Sequence, residues 1–145
     1  MSVFTEIIAG TIPGRFAYAD EHCVAFATIE PLTHGHLLVV PRMEVDRLTD
    51  LDEYLVAHLF TVAQRIGRAQ EKAFASTRAM MIVAGLEVPH AHIHVFPATS
   101  EANLNFRAAM RDVPGDVLDE DVSAIREALI ELGFAEYVPA DLHAL

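Results

Sequence analysis

A chain of 145 residues, 52% apolar and 21% charged, is long enough for one domain with its own core, and its net charge of −11 excludes a protein that grips nucleic acid through a basic surface. With Cys23 as its only cysteine it can form neither an intrachain disulfide nor a Cys-rich zinc site. No basic n-region opens the chain and no apolar run approaches ~18 residues, so the expectation is a cytoplasmic chain that neither crosses a membrane nor binds nucleic acid.

Taken in order, Ser2 to Gly10 reads as a short helix, with Ser2 as cap, apolar residues at helical spacing and Gly10 as terminator. Arg15–Ala19 and Cys23–Ile29 are two short apolar runs around Asp20-Glu21-His22, which predicts an antiparallel hairpin closed by Pro31. His36-Leu37-Leu38-Val39-Val40, between Gly35 and Pro41, predicts a buried strand. From Leu51 to about Phe74 the apolar positions Leu55, Leu59, Val62, Ile66, Ala69 and Ala73 follow the helical period, and Asp50 with Glu53 predicts a capping box. Ala79–Val83 is another strand, expected to pair with the next one, His90–Val95, which is expected to stop at Pro97. Beyond it a short helix is predicted near Asn103–Met110, then a longer one over Asp119–Leu132 with Val122, Ile125, Leu129 and Leu132 on one face. Together these elements predict an α+β fold with an antiparallel sheet, one long helix and a helical tail, in a single domain spanning 1–145.

The residues that carry chemistry are His90-Ala91-His92-Ile93-His94-Val95. In an extended strand this spacing puts three imidazoles on one face, ~6.5 to 7 Å apart, and Ala91, Ile93 and Val95 on the other. Three readings stay open at this point. The rings are a structural cluster, at a cost from desolvation and mutual repulsion. They are a metal site, completed by His34-Gly35-His36. Or one of them is a nucleophile that attacks phosphorus, with its neighbours flanking the phosphate.

The segment Glu87-Val88-Pro89-His90-Ala91-His92-Ile93-His94-Val95-Phe96-Pro97 resembles the signature of the histidine triad (HIT) family of nucleotide hydrolases and transferases. Phe4 to Pro13 resembles that family's first helix and Gly-x-Ile-Pro turn, Cys23–Ile29 its hairpin, and Pro31 to Pro41 its Pro-x-x-x-x-His-x-Leu-Val-x-Pro strand, so the resemblance covers about residues 3 to 97 and leaves 98–145 as an extension. It implies a HIT-like fold, a homodimer, no cofactor and no metal, and a nucleotide substrate, with purine expected. His92 would be the nucleophile on an α-phosphate, His90 and His94 would hold the site, and His36 would join the same cluster. Phe4, Ile7, Phe26, Ile29 and Leu38 would line the nucleoside pocket.

Departures from the family pattern bear on substrate. Thr28 stands where an acidic residue often binds the ribose, and Gly85-Leu86-Glu87-Val88 replaces Gly-Gln-[Ser/Thr]-Val, which leaves Glu87 as a general acid or as the group that fixes a histidine tautomer. Glu44, where relatives often carry a histidine, reads as a solvated charge. The expected activity is therefore metal-independent hydrolysis or nucleotidyl transfer on a nucleoside phosphoramidate, a dinucleoside polyphosphate or a related adenylylated compound. The alternatives are a nucleotide-binding module with negligible turnover and a His-ligated metal enzyme.

Overall fold

The structure, a computed structural model, describes residues 1–75 and 77–145. Its strands are β1 (Phe16–Ala19), β2 (Cys23–Ala27), β3 (Leu37–Pro41), β4 (Arg78–Ile82) and β5 (Ile93–Ala98), and its helices are α1 (Val3–Ile8), α2 (Glu53–Ala73) and α3 (Gly115–Glu131). The five strands form one antiparallel sheet in the order β1-β2-β3-β5-β4.

Alternation decides which side chain faces which layer. Cys23, Ala25, Leu37, Val39, Ile93 and Val95 point into the main core with Leu59, Val62 and Ile66 of α2 and Val122, Ile125 and Leu129 of α3. Each of the three α2 side chains is fully buried and contributes about 2 kcal/mol of burial. Val24, Phe26, Leu38 and Val40, the residues in between, form a second cluster on the opposite face with Phe4 of α1 and Phe16. In β1 the register shifts between Phe16 and Tyr18, so Ala17 and Tyr18 both reach the main core while Phe16 joins the other face.

Several boundaries differ from the sequence expectation. A 3₁₀ turn over Leu48–Asp50 consumes Asp50, so α2 is capped by Asp52, whose carboxylate accepts the Leu55 N–H at 2.7 Å. Leu51, just before that cap, and Val56 both join the core, the pairing of a hydrophobic staple. The expected helix near Asn103–Met110 is two 3₁₀ turns, Glu101–Asn103 and Phe106–Ala108, because Ser100 and Asn105 each bond a backbone N–H two residues ahead and restart the chain. The last helix starts at Gly115, earlier than Asp119. Pro97 does not end β5 but lies inside it, opposite Ala79 and past the last β3 pairing, Leu37 with Val95, where β5 has a neighbour on one side only. Conversely, β5 starts at Ile93, so only His94 of the three histidines sits on the ladder, while His90 and His92 lie in the segment leading into it.

Candidate active site

Although only one histidine is in regular strand, the rings still converge. The His92 and His94 ring centroids are 4.8 Å apart, those of His94 and His36 5.2 Å, and Phe4 from α1 sets its ring edge-on to His92 at 4.9 Å. The hydrogen bonds assign each ring's protons. His90 Nε2 lies 2.8 Å from the Pro41 carbonyl, which can only accept, so the proton is on Nε2 and Nδ1 accepts from the Ser2 hydroxyl at 2.6 Å. His92 Nδ1 donates to the His90 carbonyl at 2.7 Å, which leaves the Nε2 lone pair free. His36 Nδ1 accepts the Leu32 N–H at 3.0 Å, so its Nε2 donates to His94 Nδ1 at 3.0 Å, and the proton of His94 is on its own Nε2. Side by side stand one imidazole with a bare nitrogen, His92, and one with an N–H to offer, His94.

Burial favours these neutral forms. It pushes His36 down to about 3, and the adjacent rings of His94 and His92 push the same way. His94 is driven down to about 4, again by burial first and then by His92. His92 is lowered too, because burial outweighs the hydrogen bond to the His90 carbonyl, which favours the charged ring. A group of rings that stays uncharged at neutral pH keeps its nucleophilic lone pair available.

A family model described as HIT domain matches residues 9–101. The chain belongs to the HIT family. It is 30% identical over 132 residues to Protein hit of Bacillus subtilis (strain 168), covering 88% of this chain and 90% of that one. It is 33% identical over 85 residues to the bis(5'-nucleosyl)-tetraphosphatase [asymmetrical] of Schizosaccharomyces pombe, covering 55% of this chain and 47% of that one. Among solved structures it resembles a Zn-bound histidine triad family protein from Mycobacterium smegmatis, at 31% identity and a TM-score of 0.79 over 92% of this chain and 96% of that one.

This HIT protein brings most of the expected pocket residues together and leaves others outside. Phe4, Phe26 and Leu38 are buried in one cluster, with Ile7 packed against it. Ile29 lies beyond the end of β2 and is 68% exposed. The Thr28 hydroxyl accepts the Glu30 N–H at 3.1 Å, a bond that closes the bend after β2 and turns one of its lone pairs to the backbone. Glu87 is exposed, and among the described residues it has no hydrogen bond to any histidine. The tautomers that Glu87 was expected to fix are set instead by the Pro41 and His90 carbonyls and the Leu32 N–H. His34, which the metal reading joins to His36, pairs with Asp121 of α3 at 2.7 Å.

Glu44 needs correcting. Exposed as it is, it accepts the Ser2 N–H at 2.5 Å and the Thr5 hydroxyl at 2.6 Å, and these bonds hold its carboxyl down at about 2. Glu44 thus pins the start of α1, and Ser2 in turn bonds His90, so the helix carrying Phe4 is tied to the histidine segment. Another residue the sequence did not flag is Gln70 on α2. Fully buried, it donates from Nε2 to the Gly35 and Val95 carbonyls, both at 2.8 Å, and so holds the backbone next to His36 and His94 together. Gly35 has φ +88°, and a Cβ there would lie 2.6 Å from the Phe74 ring, so only glycine fits this turn into His36. Elsewhere, Asp20, Cys23 and His58 offer ligand-type atoms within 4.8 Å of one another. That trio is closed on itself, with Asp20 accepting the His22 and Cys23 N–H groups and pairing with His58 at 2.8 Å.

Proposed function

We propose that the chain is a nucleotide hydrolase or nucleotidyltransferase in which His92 attacks an α-phosphate. The observation that carries this reading is the pairing of a bare His92 Nε2 with a protonated His94 Nε2 in adjacent rings. In the first half of the reaction the His92 lone pair forms a Pα–N bond as the bond from Pα to the leaving group breaks, and the leaving group takes that electron pair. As charge builds on the phosphoryl oxygens, the His94 N–H donates to them. In the second half water attacks Pα, the P–N bond returns its pair to Nε2, and the water proton passes to solvent. Meanwhile His90 holds the His92 ring through its carbonyl, and His36 holds the proton of His94 on the outward nitrogen. The nucleoside, with purine favoured, packs on Phe4, Ile7, Phe26 and Leu38. To test this, replace His92 by Gly and assay a panel of a nucleoside phosphoramidate, a dinucleoside polyphosphate and an adenylylated compound. The reading requires turnover to fall by several orders of magnitude, and turnover at the original rate rules it out.

A second reading, a nucleotide-binding module with negligible turnover, draws support from Thr28, which offers a hydroxyl where a carboxylate would hold a ribose, and from Glu87, which is exposed and bonds none of the histidines among the described residues. Tight AMP binding without a covalent intermediate would favour it. In either case we propose a homodimer. β4 is an edge strand carrying the exposed Met81, and Phe60, Val83 and Leu86 are exposed as well. Sedimentation at two masses supports this, and one mass at micromolar concentration counts against it.

A further inference from the structure

The histidines lie between two apolar strips. Across the sheet the paired positions run Phe26, Leu38, His94, Ile82, so His94 has Leu38 of β3 on one side and Ile82 of β4 on the other, each about 4.8 Å away. The strip on the Leu38 side is the buried cluster assigned above to the nucleoside. The strip on the Ile82 side consists of Leu32, Phe96 and Ala98 with Met80, Ile82 and Ala109 packed against them. Over that second strip lies the 3₁₀ turn Phe106–Ala108, which follows the end of the family match at residue 101 and so belongs to the part of the chain beyond it.

Phe106 is the feature that needs an explanation. Its ring meets His94 edge-on, 5.1 Å between centroids, yet the residue is 46% exposed. The backbone that carries it is anchored. Asn105 caps the turn, Ala109 packs on the strip, the Met110 N–H bonds the Pro31 carbonyl at 2.9 Å, and Arg111 pairs with Glu30. A phenylalanine that could have been buried or replaced by a polar residue is instead held beside a reactive imidazole with its surface open. Such a ring is a stacking platform, and a nucleobase is the flat partner it suits. The same sheet face leads from Phe96 and Met80 to Ala98 and Arg78, where a groove of about 540 Å³ opens between Arg78, Met80, Ala98, Ser100 and Glu101. Arg78 and Arg107 form no ion pair among the described residues, so both cations are available to an anionic leaving group on a chain of net charge −11.

We propose that Phe106 is the platform of a second nucleoside subsite, and that the substrate class of this chain is therefore a dinucleoside polyphosphate. One nucleoside occupies the Phe4, Phe26, Leu38 side and the other stacks on Phe106 with its phosphates near Arg78 and Arg107. This rests on the reading of His92 given above and narrows it from three leaving-group classes to one.

The test is calorimetric and needs no turnover. AMP and a non-hydrolysable methylene-bridged diadenosine tetraphosphate are titrated into the full chain, its Phe106→Ala variant and its Phe106→Trp variant. In the parent chain the dinucleotide binds at least tenfold tighter than AMP. Phe106→Ala reduces that ratio by about tenfold and Phe106→Trp restores it. An equal affinity of the parent for the two ligands, no measurable dinucleotide binding, or a ratio that Phe106→Ala does not lower overturns the proposal. Failure of the His92 reading looks different: the affinity pattern holds but no covalent nucleotide appears on the protein.

Discussion

Replacing His36 by Gln tests whether the rings are held neutral by burial. The folded His36 takes up its proton only near 3, against 6.5 for an unburied ring. Below pH 6.5 the unfolded chain therefore binds a proton that the folded chain refuses, so stability is complete above 6.5 and declines as the pH falls. Between pH 7.5 and 5.0 the ring titrates in the unfolded state over about 1.5 pH units, which at about 1.36 kcal/mol per unit costs about 2 kcal/mol. His36 is almost fully buried, so solvent screening removes little of this. Gln does not titrate, and that share of the acid loss disappears from the variant. The contributions of the distant carboxylates remain in both proteins and cancel in the comparison, and Gln keeps an amide N–H to offer His94 Nδ1 in place of the His36 ring. Urea unfolding at pH 7.5 and pH 5.0 measures the two drops. At an m-value of about 2 kcal/mol per molar, the midpoint of the variant should move by about 1 M less than that of the parent. Equal shifts in the two proteins would refute the claim that His36 is kept neutral by its surroundings.

The lowered His92 also places the acid limb of kcat/KM below pH 6.5, and a limb at 6.5 or higher in a pH-rate profile contradicts the assignment. Ser2→Ala removes the cap of α1 and leaves His90 Nδ1 without its donor, which should lower stability by about 1–2 kcal/mol in denaturant and reduce kcat more than KM rises. Glu44, held at about 2, adds stability that is present above 4.5 and lost as the pH falls from there toward 2, so Glu44→Gln should lower Tm near pH 6 and flatten the fall of the Tm-against-pH curve between 4.5 and 2. Gln70→Leu strands the Gly35 and Val95 carbonyls in the core, an expected loss of about 2–5 kcal/mol in urea, whereas a loss under 1 kcal/mol would mean those carbonyls find other partners.

Period and punctuation made most of the fold legible. The alternation in Cys23–Ala27 and Leu37–Pro41 is the alternation of two packed faces, and the helical spacing from Leu55 to Ala69 is the buried stripe of α2. Two boundaries depart from the expected ones where side chains bond the backbone locally. Asp52 outcompeted Asp50 for the α2 cap, and Ser100 and Asn105 broke an expected helix into two 3₁₀ turns. Spacing put three histidines on one face and left a nucleophile, a metal site and a structural cluster open, and which nitrogen each ring presents depends on Leu32, Pro41 and Ser2, partners with no pattern in the sequence. Glu44 looked solvated because its partners, Ser2 and Thr5, lie about 40 residues away along the chain. Phe106 falls inside the stretch Asn103–Met110 expected as a short helix, and only its position beside His94 gives it meaning.

The central claim is that His92 carries the nucleotide between the two halves of the reaction. Brief incubation with mixed nucleotide substrates, acid-free quenching and mass spectrometry of the peptide containing His92 test it most directly. The account predicts an added nucleoside monophosphate on His92, absent from the His92→Gly protein, with a mass that also names the base. Turnover with no adduct on His92, or an adduct on another histidine, would contradict it.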